Sequence, residues 1–314
     1  MSGEGFGVLV PIDMAGDVRL SDARVAAGVI GFPIAHSLSP VTCQAAFDKL
    51  GLGYRYAAFE VPLGKAAEAL ADMRARQMLG LSVTMPHKAA VVELVDELSD
   101  AAQALGAVNC VARRGDRLVG HNTDGAGFCD ALEAEGVDLA GLRCAVLGAG
   151  GAGRAVIAEL ARREVAEVAV IARSIAKAES GAALAGKLGV VGSGDGLAQY
   201  DLIVNATPVG MAGTPDAHSL PLNPELLHSK QRVVDLVYNP VMTPLLAECV
   251  CRKVSYSVGV GMLVYQAAHA VRIWTAQEPP IEAMTEAAIA ELSRREWLQQ
   301  AVQLDAQTEQ SDIL

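Results

Sequence analysis

The chain has 314 residues, enough for two ordinary domains with well-filled cores. Hydrophobic residues make up 52% of it and charged residues 19%, so intrinsic disorder is excluded for the bulk of the chain. The formal net charge of −11 argues against a nucleic-acid-binding surface. An anionic ligand would therefore need a locally positive pocket or a helix N-terminus.

Membrane, metal and disulfide sites are not expected from the sequence. No apolar run approaches the ~20 residues that span a bilayer, and the acidic residues within positions 1–20 do not fit a signal peptide. We expect this opening segment to be a frayed extension of a cytoplasmic protein. The six cysteines form no C-x-x-C pair and are expected to be buried thiols, and the histidines lack metal-ligand spacing. The expected oligomeric state is a monomer or a homodimer.

The first part of the chain alternates predicted strands and helices. A helix is expected to open at Ser39, with Ser39 as its N-cap, Pro40 in its first turn and Gly51 past its end. Further helices are expected over residues 63–77 and from about Pro86. Strands are predicted over residues 25–32, 54–61 and 80–85, and a hairpin joins residues 107–112 to residues 117–120.

A second unit begins near Asp124 with a helix to Glu135. It continues in βαβαβ order, which implies a parallel sheet covered by helices on both faces. Its strands are predicted over residues 143–147, 167–172, 201–206 and 233–237, with helices that end near Arg163 and Leu188. Two last helices, over residues 259–277 and 281–300, are expected to pack back on the first unit, and residues 307–314 are expected to be loose.

The predicted fold is therefore α/β with two domains. Residues 1–124 and 260–314 would form an N-terminal α/β domain, completed by the C-terminal helices. Residues 125–259 would form a Rossmann-type dinucleotide-binding domain inserted between those two parts.

A glycine-rich turn follows the strand at residues 143–147 and opens a helix. Its pattern is Gly148-Ala149-Gly150-Gly151-Ala152-Gly153, which at this place predicts a dinucleotide held by its pyrophosphate at the helix N-terminus. The alternative is a tight turn without a ligand.

The next strand indicates which dinucleotide binds. It ends in Arg173 and Ser174 instead of the acid that contacts the ribose hydroxyls of NAD, so a 2′-phosphate and hence NADP is favoured. Lys177 follows on the next helical turn and adds positive charge, and Arg154 is a weaker candidate for a phosphate contact. The alternative for Arg173 is a solvated surface side chain.

Further polar segments lie at strand ends and helix starts, where a parallel sheet presents ligand groups. Taken with the glycine-rich turn, they resemble the shikimate dehydrogenase family, including its quinate/shikimate branch, in family order over nearly the whole chain after about Val25. The resemblance implies an NADP-dependent enzyme of aromatic amino acid biosynthesis that interconverts shikimate and 3-dehydroshikimate by hydride transfer. The segments are His36-Ser37-Leu38-Ser39-Pro40, Ser82-Val83-Thr84-Met85-Pro86-His87-Lys88, Gly106-Ala107-Val108-Asn109, Asn122-Thr123-Asp124-Gly125, Asn205-Ala206-Thr207-Pro208-Val209-Gly210-Met211, Asp235-Leu236-Val237-Tyr238-Asn239-Pro240 and Gly259-Val260-Gly261-Met262-Leu263-Val264-Tyr265-Gln266.

The resemblance also implies roles for individual residues. Lys88 and Asp124 match the catalytic pair, in which a lysine close to a carboxylate can accept the hydroxyl proton as hydride leaves the carbon. Lys88 acting chiefly by its charge is an alternative. The implied substrate residues are Ser37 and Ser39 for the carboxylate, Thr84, Asn109 and Gln266 for the ring hydroxyls, and Tyr238 in the cleft. Ser82 lies two residues before Thr84 on the same strand, so we expect its side chain to share that face and to point into the cleft as well. The implied cofactor residues beyond Gly148–Ala152, Arg173, Ser174 and Lys177 are Thr207, Leu236, Gly259 and Met262.

Four residues depart from the family pattern. Ser82 stands where Asn is common, Cys110 where Thr is common, His87 replaces the more usual aromatic residue or Asn, and Val258 replaces an acid. Ser82 with its neighbours is closer to the quinate/shikimate branch, whereas Arg173 fits NADP.

Two rival functions follow from these features. One is a quinate/shikimate dehydrogenase of catabolism that uses NAD or NADP. The other is a non-catalytic ligand sensor on the same fold, although such a sensor has no need of Lys88 together with Asp124. A folate-linked dehydrogenase on this scaffold would not need the two serines.

Overall fold

A computed structural model describes residues 7–12 and 24–311, and the side chains of the last helix through residue 298. The strands are β1 (Val25–Gly31), β2 (Arg55–Glu60), β3 (Gly80–Val83), β4 (Glu97–Leu98), β5 (Cys110–Arg114), β6 (Arg117–His121), β7 (Arg143–Leu147), β8 (Glu167–Ile171), β9 (Gly189–Val191), β10 (Leu202–Asn205), β11 (Arg232–Asp235) and β12 (Ser255–Ser257). The α-helices are α1 (Ser39–Lys49), α2 (Ala66–Ala75), α3 (Asp100–Leu105), α4 (Asp124–Ala134), α5 (Gly151–Arg162), α6 (Ile175–Ala182), α7 (Pro244–Arg252), α8 (Val260–Thr275) and α9 (Ile281–Ser311).

The first sheet has six strands in the order β2-β1-β3-β5-β6-β4. Strand β1 pairs in parallel with β2 and β3, whereas β5 runs antiparallel to both β3 and β6. The carboxyl end of β3 therefore lies beside the start of β5. Ser82 therefore pairs with Cys110, and Asn109, the residue before Cys110, lies close to the end of β3.

The second sheet has six parallel strands in the order β12-β11-β10-β7-β8-β9. Its order reverses between β7 and β10, because the chain first moves outward through β8 and β9 and then returns to the other side of β7. Ligands of such open sheets bind outside the carboxyl ends of the strands at this switch point. The glycine-rich turn after β7 lies there.

The two C-terminal helices pack against the first sheet. Val264 and Val271 of α8 and Met284 of α9 share one buried cluster with Val29 of β1 and Phe47 of α1. Helix α4, in contrast, contributes Phe128 and Leu132 to the cluster under the second sheet. The chain therefore crosses to the second sheet at α4 and returns to the first at α8.

The structure confirms the alternating strand and helix order and corrects several elements. In place of the helix expected from Pro86, the chain forms a short 3₁₀ turn (Ala90–Glu93), the strand β4 and the helix α3. A continuous helix is prevented because the Asp96 amide donates to the Leu118 oxygen of β6 and β4 pairs with the same strand. The helix expected to reach Leu188 ends at Ala182 and gives way to a kinked 3₁₀ segment. Elements not predicted are β4, β9 and β12, whose two or three residues are too short for a periodic pattern, and α7.

Both ends of the chain also differ from expectation within the described residues. Leu9 is fully buried and Pro11 forms a bridge with Phe59, so residues 7–12 are packed and not frayed. Helix α9 runs to Ser311, so residues 307–311, expected to be loose, are helical. Residues 1–6, 13–23 and 312–314 of those two predicted segments lie outside the described residues.

The cysteines are all free thiols, and Cys251 is exposed, contrary to the expectation that each would be buried. Burial raises the pKa of the Cys43 thiol to about 12. Across the described parts of the chain, no helix is long and apolar enough to cross a membrane.

Candidate active site

A cavity of about 230 Å³ lies where β1 and β3 of the first sheet face the start of α5 and α8. It brings together every residue predicted for catalysis and substrate binding, although these come from separate parts of the chain. Those lining residues are Ser37, Ser39, Ser82, Thr84, Lys88, Asn109, Asp124, Tyr238 and Gln266. Ala152, Leu236, Gly259 and Met262, predicted for the cofactor, line it too, as do Val29, Ile34, His36, Leu38, Val83 and Leu263, which were not assigned a role.

An ion pair forms the polar centre of the cavity. Lys88 Nζ lies 2.6 Å from Asp124 Oδ2, with the lysine side chain 25% exposed and the aspartate side chain 9% exposed. Asp124 is the first residue of α4, and its own amide donates to Asn122 Oδ1. A negative group at a helix start is favoured by the helix dipole, so the Asp124 carboxylate is stabilised by the dipole of α4 as well as by the ion pair with Lys88.

Asn109 holds the other oxygen of that carboxylate. Its Nδ2 donates to Asp124 Oδ1 at 2.7 Å and to Thr123 Oγ1 at 2.9 Å. Its Oδ1 accepts the Thr123 amide at 2.8 Å, and Thr123 Oγ1 donates to the backbone oxygen of Gln266 on α8. The network links the residue before β5 to α4 and α8, and rotation of the carboxylate would break its hydrogen bonds to both Lys88 and Asn109.

The two predicted serines lie at the start of α1. Helix α1 has Leu38 as N-cap without a side-chain cap, so the prediction of Ser39 as N-cap is wrong. Instead, Ser37 Oγ accepts the Ser39 amide at 3.2 Å. Neither the Ser39 hydroxyl nor the Thr84 hydroxyl makes a hydrogen bond to the described protein groups, and both residues line the cavity.

Ser82 has a buried partner that the sequence did not reveal. The hydroxyl of Tyr56, which is 5% exposed, donates to Ser82 Oγ at 2.8 Å. Burial raises the pKa of Tyr56, so the phenol stays protonated and remains a donor. The proton of Ser82 is thereby left for another acceptor. Of the four departures from the family pattern, Ser82 lines the cavity, whereas Cys110, His87 and Val258 do not.

The glycine-rich turn joins β7 to α5 without a side-chain cap at Gly150. A Cβ at Gly153 would lie 2.1 Å from the backbone oxygen of Gly148, so only glycine fits there. The amides of the first helical turn thus point at the switch point beside Ala152, an arrangement suited to a phosphate. The turn itself, apart from Ala152, lies outside the cavity lining.

Arg173 and Lys177 are exposed at the carboxyl end of β8, where α6 begins. Ser174 is the N-cap of α6, and its Oγ accepts the Lys177 amide at 3.4 Å. Arg173 makes no hydrogen bond or ion pair with the described residues, so its guanidinium can bind a ligand. Arg154 donates to Ser180 Oγ, which ties it to the surface of α6.

A buried polar network sits behind Thr207. Asn205 Oδ1 accepts both the amide and the hydroxyl of Thr207, and Asn205 Nδ2 donates to Asp235 Oδ1. Thr243 and the Val237 amide also donate to this carboxylate. Burial raises the pKa of Asp235 while these donors oppose the rise. Thr207 is therefore set in place at the carboxyl end of β10.

Gly259 and Tyr238 close the cavity from the other side. A Cβ at Gly259 would lie 2.6 Å from the backbone oxygen of Leu236, so the glycine is required by packing within the protein. Burial raises the pKa of Tyr238, and the positive charge of Arg295 opposes that rise. The phenol therefore stays neutral beside the cavity.

Sequence reasoning missed four residues that hold the site in place. Tyr56, Thr123 and Asn205 bind site residues directly, and Asp235 binds Asn205. Thr123, Asn205 and Asp235 lie within the segments that resemble the family, which is a signal that could have identified them. Tyr56 had no signal, because an aromatic residue in a strand is typical of a core position.

Comparisons with known proteins identify the family to which this chain is similar. The model of the shikimate dehydrogenase substrate binding domain matches residues 29–111, and that of the shikimate 5'-dehydrogenase C-terminal domain matches residues 259–289. The shikimate dehydrogenase (NADP(+)) of Methanopyrus kandleri is 43% identical over 276 residues, which cover 84% of this chain and 95% of the relative.

Solved structures are similar as well. The shikimate 5-dehydrogenase of Thermus thermophilus, in complex with NADP(H) and shikimate, has a TM-score of 0.79 at 38% identity and covers 85% of this chain and 99% of its own. The quinate dehydrogenase of Corynebacterium glutamicum, in complex with NAD, has a TM-score of 0.76 at 31% identity, over 85% of this chain and 99% of its own. With matches of this identity and extent, the chain belongs to the shikimate dehydrogenase family.

Proposed function

We propose that this protein is an NADP-dependent oxidoreductase that interconverts shikimate and 3-dehydroshikimate. The observation that carries the proposal is the cavity in which the Lys88–Asp124 pair faces hydroxyl groups at the start of α1, beside the glycine-rich turn. The relatives named for this reaction support it, since they match most of the chain.

The proton-transfer role is proposed for Lys88. Oxidation of a secondary alcohol requires removal of its hydroxyl proton, and a neutral lysine amine within hydrogen-bond reach can accept it. Asp124, held by Asn109, fixes the position of the lysine and accepts a hydrogen bond from a second ring hydroxyl. In the reverse direction the ammonium group returns the proton to the developing alkoxide.

The remaining polar groups are proposed to orient the ring. Ser37 and Ser39 bind the carboxylate at the start of α1, where the helix N-terminus also favours an anion. Thr84, Gln266 and Tyr238 complete the polar lining around the ring. Thr84 and Ser82 are two residues apart at the end of the same strand, so both side chains lie on one face and can point into the cavity.

The cofactor site is proposed at the carboxyl edge of the second sheet. The first-turn amides of α5 fit a pyrophosphate, and the free guanidinium of Arg173 with Lys177 fits a 2′-phosphate. Thr207, Leu236, Gly259 and Met262 would then flank the nicotinamide end, and Ala149, Gly151 and Ser174 the phosphate end. When bound, the nicotinamide supplies or accepts the hydride.

We also propose that the two units bind different ligands, one the substrate and the other the cofactor. Residues 1–124 and 260–314 would form the substrate domain and residues 125–259 the cofactor domain. The shared core of α8, α9 and the first sheet supports this division. The protein is proposed to act in the cytoplasm as a monomer or homodimer, on small molecules without nucleic acid.

Initial rates for shikimate and quinate, each with NADP and with NAD, test the function. We expect the highest kcat/KM for shikimate with NADP. A higher value for quinate would make the protein a quinate dehydrogenase, and no turnover in any of the four assays would favour a ligand sensor.

Quinate is the second candidate substrate, because Ser82 lines the cavity where the family commonly has Asn. Quinate carries an added hydroxyl on a tetrahedral ring carbon, and burying that group without a partner would cost ~1–3 kcal/mol. Ser82 leaves room for it and, with Tyr56 donating to its oxygen, has a proton to offer. Ser82→Asn is therefore expected to lower kcat/KM for quinate about tenfold more than for shikimate.

The matched control for this prediction is Ser82→Ala, which keeps the space and removes the hydroxyl. If space decides, the alanine variant keeps the parent ratio of the two substrates. Equal losses for both substrates in Ser82→Asn would contradict the selectivity role, and so would a parent enzyme that does not oxidise quinate.

A further inference from the structure

Helix α9 lies against the start of the substrate site. Its residues Met284, Ala288 and Leu292 are fully or nearly fully buried in the cluster that also contains Phe47 of α1. Three residues after Leu292, at Arg295, the helix passes the chain segment His36–Ser37, the turn that precedes α1. The family model matched to the C-terminal domain ends at residue 289, so this part of α9 lies beyond the matched segment.

Arg295 joins α9 to that turn. Its Nη1 donates to the backbone oxygen of His36 at 2.7 Å, and its Nη2 donates to the backbone oxygen of Ser37 at 3.3 Å. The third donor, Nε, binds Glu291 Oε1 at 2.7 Å. The planar guanidinium is thus held on all three nitrogens, with its fork aimed at two successive carbonyl groups.

The turn held by Arg295 carries the side chains that face the cavity. His36, Ser37 and Ser39 all line it. Within the turn, the Ser37 amide donates to the Ile34 oxygen, and Ser37 Oγ accepts the Ser39 amide. A shift of the Ser37 backbone would therefore move both hydroxyl groups that face the ligand. Contacts to the carbonyls of residues 36 and 37 oppose such a shift directly.

The charge around Arg295 also favours an anion in the cavity. Glu291 pairs with both Arg294 and Arg295, but only Arg295 reaches the turn, so its guanidinium is the positive charge that lies against the turn. This charge is felt at the cavity wall, since Arg295 acts against the burial that raises the pKa of the Tyr238 phenol. Arg295 itself is not among the lining residues, so it acts through the turn and through its field.

We propose that Arg295 is a positioning residue that holds the His36–Ser37 turn and thereby sets the affinity for the carboxylate of the substrate. The inference rests on the proposed function for the identity of that carboxylate, but the contacts that carry it belong to α9 and the turn. It assigns the middle of α9, beyond the segment matched by the family model, a role in substrate affinity.

The kinetic test compares Arg295→Gln with Arg294→Gln in the full-length protein. Arg294 is the matched control, because it binds the same Glu291 but does not contact the turn. Arg295→Gln is expected to raise the KM for shikimate ~5–20-fold, since two charge-assisted hydrogen bonds are lost, with kcat and the KM for NADP within about twofold of the parent. Arg294→Gln should leave all three within about twofold.

Two further variants and ligands separate positioning from general damage. Arg295→Lys keeps the charge without the fork and should recover part of the affinity. With the neutral methyl ester of shikimate, the KM ratio between Arg295→Gln and the parent should approach one. An unchanged shikimate KM in Arg295→Gln, an equal rise in the KM for NADP, or the same ratio for ester and acid would overturn the proposal.

Hydrogen exchange without substrate tests the inference independently of the reaction. The amides of residues 34–39 should exchange roughly tenfold faster in Arg295→Gln than in the parent, and Arg294→Gln should match the parent. Equal exchange in all three proteins would show that Arg295 does not hold the turn. Failure of the parent to oxidise shikimate, in contrast, would count against the proposed function alone.

Discussion

Lys88→Met is expected to lower kcat for shikimate oxidation ~10²–10⁴-fold, the usual contribution of a positioned acid or base. Methionine keeps the unbranched length of lysine but cannot accept or return a proton. The Lys88 side chain is three-quarters buried beside Asp124, so little water reaches the site to replace it. The measurement is single-turnover and steady-state rates across pH, together with a thermal melting curve.

Lys65→Met is the matched control for that experiment. Lys65 makes a surface ion pair with Glu68, and both side chains are about half exposed, so the same substitution there should leave kcat unchanged. A Lys88→Met variant that melts like a folded protein yet turns over within tenfold of the parent would contradict the proton-transfer role.

The pair Lys88 and Asp124 should behave as a unit. Asp124→Asn keeps an oxygen for the Asn109 amide but removes the charge that positions the lysine. Because both changes disable the same step, the double variant Lys88→Met, Asp124→Asn should be little slower than the slower single variant. Additive losses would indicate two independent roles.

Arg173→Asp is expected to reverse the cofactor preference. Loss of a charge-assisted bond to a 2′-phosphate costs ~1.5–3 kcal/mol, so the KM for NADP should rise at least tenfold. The introduced aspartate also repels that phosphate and can accept bonds from the ribose hydroxyls of NAD, so kcat/KM for NAD should rise. The ratio of kcat/KM for the two cofactors, measured at saturating shikimate, checks this.

Lys230→Asp controls for the change in net charge. Lys230 is exposed and precedes β11, so it lies at the amino edge of the sheet, opposite the edge where Arg173 follows β8. Reversing its charge should leave the cofactor ratio unchanged. An unchanged NADP preference in Arg173→Asp would mean that Arg173 is a solvated surface side chain.

Sequence patterns predicted best those features that depend on neighbours in the chain. The strand, glycine-rich turn and helix from Arg143 to Arg162 form one continuous segment, and the residue types there allow few other conformations. Likewise, the order of strands and helices predicts the parallel pairing that the second sheet has. The family resemblance then placed the polar residues that line the cavity.

Pairings between distant residues were beyond the reach of such patterns. Tyr56 meets Ser82 because β1 lies between their strands β2 and β3, and the phenol reaches across it. The start of α1 seemed to be capped by Ser39, but the backbone places Ser37 in contact with the Ser39 amide instead. Short edge strands such as β9 and β12 were missed since pairing with a neighbour, and not their own composition, makes them strands.

By itself, then, the sequence determined the α/β class, the glycine-rich turn and the positive charges of Arg173 and Lys177 after β8, and its family resemblance indicated which polar residues line the cavity. Only the tertiary structure decided how those residues are held. Asn109 donates a hydrogen bond to Asp124, Asn205 donates one to Asp235, and Arg295 donates to the backbone of a turn more than 250 positions away in the sequence. The physical reason is that local conformation depends on neighbours in the chain. Hydrogen bonds between distant segments depend on packing of the whole core, which brings the middle of α9 to the start of α1.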